Sequence, residues 1–185
     1  MRGRKPWCER APGQGPVVRH NAVVRHRDRD PQGRARNARP RDGLGRPLPY
    51  GSPGVERIDE ELVLTPQESL ELAQRLLDEG RPFHAHEVLE AAWKNSPAGE
   101  RMLWKGLAQL AVGLTHVRRG NPVGAVALLH RAGEHLQPYA EQPPHGVAAD
   151  HLIRAVADLC DRLERDGLPG ITDQQLSPPL RATTG

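Results

Sequence analysis

The chain is 185 residues long and 37% hydrophobic, which suits one modest domain with extra sequence around it rather than two full domains. Residues 1–57 carry 14 Lys/Arg against 5 Asp/Glu (+9) and residues 58–185 carry 12 against 18 (−6), so the overall +3 hides a basic leader and an acidic body. That split argues against nucleic acid as a partner of the folded part, since a phosphate-binding surface needs its cations on the domain itself.

Cys8 and Cys160 are the two cysteines, without CxxC or Cys/His ligand spacing, which excludes a disulfide scaffold or zinc finger and points to a reducing cytoplasm. No run of 18 apolar residues is present, so no membrane association is expected. Residues 1–57, dense in Arg, Pro and Gly, show neither a 3.6 nor a 2.0 period and read as a disordered basic arm. Residues 58–167 read as the helical domain, and residues 168–185, Pro-rich and polar, as a disordered tail.

The helices follow in order. Thr65-Pro66-Gln67-Glu68 gives an N-cap, a Pro at the first helical position and a Glu at the third, so a helix is expected over about 66–79. A second runs from Pro82 or Phe83 through Trp93, and a third spans about 98–119 with Leu103, Leu107, Leu110, Leu114 and Val117 on one stripe. Asn121-Pro122 repeats the cap-plus-Pro start for a fourth helix that ends before Pro138. Leu152, Val156, Leu159, Cys160 and Leu163 mark a fifth, which Gly167 closes. The expected fold is all-α: about five helices, forming two tandem antiparallel helical hairpins plus a C-terminal packing helix.

A shift of 40 residues superposes the two hairpins: Leu70 on Leu110, Leu77 on Val117, Gly80 on Gly120, Ala85 on Ala125, Leu89 on Leu129 and Ala92 on Ala132. Small residues at these places suit closely approaching helices, as in tetratricopeptide-like arrays. Against that pattern the second helix carries an unexpected polar set. At about 100° per residue, Phe83, His86, Glu90 and Trp93 share an arc of about 80° with Glu87 just beyond it, whereas His84 points elsewhere. His86 and Glu90, four apart, can pair on one face. On the third helix Gln109, Val112, Gly113 and His116 form a second stripe. If the stripes meet, His86, Glu87, Glu90, Gln109 and His116 would converge, able either to bind a divalent metal (Zn, Fe or Mn) or to tie two helices together as a hydrogen-bond network. His130 and His135 fall off the apolar face of helix four and are expected at the surface.

Over about residues 65–137 the chain resembles the DUF309 family: GRPFHAHEVLEAAWK, GLAQLAVGLTHVRRGN and GAVALLHRAGEHL match its motif segments. The resemblance implies a small all-α bacterial or archaeal domain, sometimes labelled a metal-dependent hydrolase without a defined reaction. The residues at the family's polar motif positions are His86, Glu87, Glu90, Trp93, Gln109, His116 and Asn121; His84 stands where many relatives carry Glu. Residues 27–51 also resemble the opening of relatives, implying a translation start near Val24 and an arm able to lie across the domain.

Two readings follow. In one, the chain is a metal-binding or hydrolytic protein with His86, Glu90 and Glu87 in catalysis, His86, Glu90 and His116 on the metal, and Trp93, Gln109 and Asn121 binding ligand. In the other, it is a non-catalytic module of helical hairpins that holds a peptide or forms a homodimer.

Overall fold

The computed structural model describes residues 39–55 and 63–182. Residues 1–38, the main part of the expected basic arm, lie outside them. Five helices follow one another: α1 (Pro66–Asp78), α2 (Pro82–Asn95), α3 (Arg101–Arg118), α4 (Pro122–Leu136) and α5 (Ala149–Arg165). No strand occurs among the described residues, and the all-α expectation holds.

Local chemistry sets the helix ends. Thr65 and Glu68 form the reciprocal capping box, with the Glu68 N–H donating to Thr65 Oγ1 (3.3 Å) and the Thr65 N–H to Glu68 Oε2 (2.8 Å). Helices α1 and α3 terminate identically. Gly80 and Gly120 take positive φ (71° and 76°), a region that a side chain would strain. The Gly80 N–H reaches Leu77 O (2.9 Å) and the Arg81 N–H reaches Leu76 O (2.8 Å); Gly120 to Val117 (2.9 Å) and Asn121 to His116 (2.9 Å) repeat this 40 residues later. The repeat seen in the sequence is thus a repeat of helix, Schellman turn and Pro-initiated helix.

Packing runs along the chain, with α3 held between α2 and α4. Helix α3 packs tightly on α4, because Gly106 and Gly113 put no side chain between them: a Cβ at Gly113 would stand 2.8 Å from the Leu129 side chain, and one at Gly106 would stand 3.2 Å from the Ala132 carbonyl. The repeat positions Leu70, Leu77, Ala85, Leu89, Leu110, Ala125 and Leu129 all lie in one core. Leu107, Leu114, Leu136, Leu152 and Trp104 join them there. Cys160 is buried at the inner face of α5, and burial, reinforced by Glu164 and Asp161, pushes its thiol up to about 11, so it packs as an unreactive apolar group.

Two stretches depart from the domain boundaries expected from composition. Residues 168–182 are not a loose tail: Leu176 and Leu180 are buried, and Leu168 and Ile171 pack on the core. Polar ties flank them, from the Leu180 N–H to Gln74 Oε1 (2.7 Å), from the Ala148 N–H to Leu180 O (2.9 Å) and from Arg181 to Glu71 (3.2 Å). Four apolar side chains spaced along a Pro-rich stretch have no helical or strand period, so their burial leaves no periodic trace. Residues 39–55, assigned to the disordered arm, form a turn closed by Asp42, whose carboxylate accepts from the Leu44 (3.0 Å) and Arg46 (2.8 Å) N–H groups. This strap sits on the start of α2 and the end of α3. Arg119 donates to the Leu44 carbonyl from Nε (2.9 Å) and Nη2, and the Arg41 and Arg119 guanidinium groups both lie over the Phe83 ring, 5.5 and 5.8 Å from its centre.

Candidate functional site

The polar motif residues form separate ties. On α2, His86 Nε2 lies 3.4 Å from Glu90 Oε2 and Lys94 Nζ lies 3.1 Å from Glu90 Oε1, an i, i+4 ladder along one face. The His86 ring leans on Phe83 (6.4 Å between centroids) and comes near the Ala108 backbone of α3, where its buried Nδ1 makes no hydrogen bond of normal geometry among the described residues. Burial lowers its pKa and outweighs the support of Glu90 and the Ala108 backbone, while Lys94 lowers it further. His86 is therefore largely neutral near pH 7, and its contact with Glu90 is a weak polar one.

Gln109 meets α4 instead of α2. Its Oε1 lies 2.7 Å from His135 Nδ1, and since an amide oxygen only accepts, the proton of that imidazole sits on Nδ1. His135 was expected at the surface; it is half-buried because Gly106, opposite it, leaves room for its Cβ. His116 occupies the turn between α3 and α4. Asn121 caps α4, its Oδ1 accepting from the Gly124 N–H (3.0 Å), which leaves its Nδ2 to donate to His116 Nδ1 (2.9 Å). The cap thus fixes the His116 tautomer, with the proton on Nε2, and protonation of Nδ1 would break it. Burial, then Arg119, lowers the His116 pKa, in keeping with that geometry.

The expected convergence is therefore corrected. His86 and Glu90 share a face of α2, Gln109 turns to α4, and His116 belongs to the cap of α4. Among the described residues no group of three or more His, Cys, Asp or Glu is placed to hold a metal ion, so the ligand trio of His86, Glu90 and His116 is not assembled. Glu87 is half-buried on the adjoining strip of α2. Trp93 is half-buried against the core, and its carbonyl accepts from Ser96 Oγ (2.9 Å) at the end of α2, a packing and termination role. His84, set aside in the sequence, is buried, its ring edge-on to Phe83 (5.7 Å, 87°).

A cluster that sequence reasoning missed joins the start of α3 to the loop before α5. Glu100 Oε2 accepts from Trp104 Nε1 (3.2 Å) and from His145 Nε2 (2.8 Å), and the Trp104 and His145 rings lie 5.9 Å apart. Burial alone would raise the Glu100 pKa, but the hydrogen bonds from His145 and Trp104 outweigh it and hold the carboxyl below its ordinary value. Glu100 and Trp104 stand at helical i, i+4 spacing and were open to view. His145, 45 residues on and at φ 58°, was not.

These shifts predict an acid-sensitive fold. His86, His116 and His135 are all lowered by burial, so the unfolded chain binds protons more readily than the folded one. Stability should hold above about pH 6.5, the ordinary histidine value, and decline below it. The lowered Glu100 then extends the loss as pH falls through its folded value. Urea midpoints measured from pH 8 to pH 4 check this; a midpoint that rises on acidification to pH 5.5 contradicts it.

Fold and polar residues together define an all-α protein of tandem helical hairpins whose polar motif positions tie helices and turns. Residues 70–128 match the family described as Domain of unknown function (DUF309), so the resemblance read from the sequence is borne out there, from α1 into α4. The chain is similar to the Uncharacterized protein YpuF of Bacillus subtilis (strain 168), 41% identical over 78 residues. That stretch is 42% of this chain and 37% of YpuF, so the chain spans little more than a third of that relative's length. No solved structure matches. None of the helices among the described residues is long and apolar enough to cross a membrane.

Proposed function

We propose that this chain works as a non-catalytic helical-hairpin module that holds a peptide segment of a partner protein. The observation that supports this reading is the dispersal of the polar motif residues: Gln109 is engaged by His135, His116 by Asn121 and His86 by Glu90, and among the described residues no group of three or more His, Cys, Asp or Glu converges to hold a metal ion. The face offered to a partner is the half-buried row Lys105, Gln109, Val112 and His116 along α3, together with the Glu90–Lys94 pair of α2. Its mixture of long cations, amide and one aliphatic residue suits main-chain and acidic side-chain contacts.

The test is charge reversal. Lys94→Glu with Lys105→Glu should abolish cross-linking to a defined partner while leaving the melting temperature nearly unchanged, since surface substitutions of this kind stay within about 0.5 kcal/mol. Hydrolysis of a model ester or phosphoester that disappears in His86→Ala would overturn the reading. So would a saturable rise in melting temperature with Zn²⁺ or Mn²⁺.

A further inference from the structure

Away from the α2–α3 row, a cavity of about 300 Å³ opens where four parts of the chain meet: Leu44 of the strap, Gly80 of the first hairpin turn, Val117 and Arg118 at the end of α3, and Leu168, Ile171 and Leu176 of the C-terminal segment. All its lining side chains are aliphatic except Arg118. The guanidinium lies over the bare backbone of Gly80, where a Cβ would stand 3.3 Å from Nη2. Of its five N–H donors, one on Nη2 meets Asp173 Oδ1 (3.2 Å), and the buried Nε has no hydrogen-bond partner. Asp173 is 89% exposed, so this ion pair is a solvated and readily exchanged one.

A guanidinium set among aliphatic side chains, 24% exposed and with its buried Nε unmatched, is complemented by an anion that brings an apolar body with it. We propose that this cavity is a binding site for an aliphatic monocarboxylate, the carboxylate on Arg118 in exchange for Asp173 and the alkyl chain between Leu44, Val117, Ile171 and Leu176. At about 30 Å³ for each water-sized unit, the space takes about ten non-hydrogen atoms, the size of octanoate. The same chemistry belongs to the free C-terminus of a peptide ending in Leu or Ile. Leu44 and the 168–176 segment lie outside the residues that the family match covers. It uses none of the residues of the α2–α3 row and stands or falls separately from the reading above.

Calorimetric titration of the full chain with octanoate and with octanamide tests it. Octanoate should bind saturably and at least tenfold more tightly than octanamide, and Arg118→Gln should erase that difference. Asp173→Ala, at an exposed position that does not threaten folding, should strengthen octanoate several-fold by removing the competing carboxylate. Ile171→Trp, which fills the cavity, should abolish binding of both. Acetyl-leucine competing with octanoate, where its amide does not, would assign the natural ligand to peptide ends; octanoate binding without such competition would assign it to free acids. No saturable octanoate binding, equal affinity for octanamide, or octanoate binding unaltered by both Asp173→Ala and Ile171→Trp would overturn the proposal.

Discussion

Replacing Trp104 with alanine should destabilise the domain by about 3–5 kcal/mol, a large share of the roughly 5–15 kcal/mol that holds a domain folded. Trp104 is the largest fully buried side chain (1% exposed), on α3 between its neighbouring helices. Truncation removes its apolar area and leaves a cavity that a close-packed core closes only in part. The indole also donates to Glu100, so truncation leaves that carboxylate with His145 alone. Trp104→Phe separates the two contributions: it keeps most of the volume and loses the donor, and should cost about 1–2 kcal/mol. Urea denaturation followed by circular dichroism gives both numbers; a Phe variant as damaged as the Ala variant would show that the hydrogen bond, not the packing, dominates.

Gly45→Ala should release the strap while the helices stay folded. Gly45 is buried with φ 73°, and a Cβ there would lie 2.2 Å from the Phe83 ring, so alanine is excluded both by conformation and by contact. The strap has few other attachments: Arg119 to the Leu44 carbonyl and the two guanidinium groups over Phe83. Its backbone hydrogen bonds, Leu48 N–H to Pro40 O (2.8 Å) and Val55 N–H to Arg41 O (2.9 Å), should therefore exchange with solvent far faster in the variant. The unfolding midpoint should move little, because the strap contributes no residue to the buried apolar core. Hydrogen exchange of the Leu48 and Val55 amides checks this, and wild-type protection in the variant would contradict it.

The helices were legible because their signals are local and redundant. Thr65, Pro66 and Glu68 announce α1, Gly80 and Gly120 the two turns, and the leucine stripes the buried faces, with each signal resolved within about ten residues. The 40-residue repeat carries the pairing of the hairpins as well. What was not legible depended on contacts between distant segments. Leu180 finds its place through Gln74 and Ala148, 106 and 32 positions away, and no period in a Pro-rich stretch reports that. The strap was masked by its composition: the arginines that make residues 39–55 look disordered are each tied down, Arg41 over Phe83, Arg39 over Tyr50 and Arg46 to Asp42.

The partners of the polar residues were hard to read for a related reason. Helical periodicity correctly placed His86 with Glu90, and Gln109 on a common stripe with His116, but a stripe on α3 has two neighbours. Gly106 and Gly113 draw α4 close enough for His135 to take Gln109, and Asn121, placed by the turn after Gly120, takes His116. Which neighbour a polar stripe engages is decided by helix approach distance, and here the glycines that set it lie on the side away from α2.

That the motif residues are separate ties rather than one site can be measured as a coupling energy. A double-mutant cycle of His86→Ala with His116→Ala should give an interaction within about 0.5 kcal/mol of zero, as for residues without shared partners, while the cycle of His116→Ala with Asn121→Ala should give about 1 kcal/mol or more. Coupling of His86 to His116 as strong as that of His116 to Asn121 would contradict the account and restore a single convergent site.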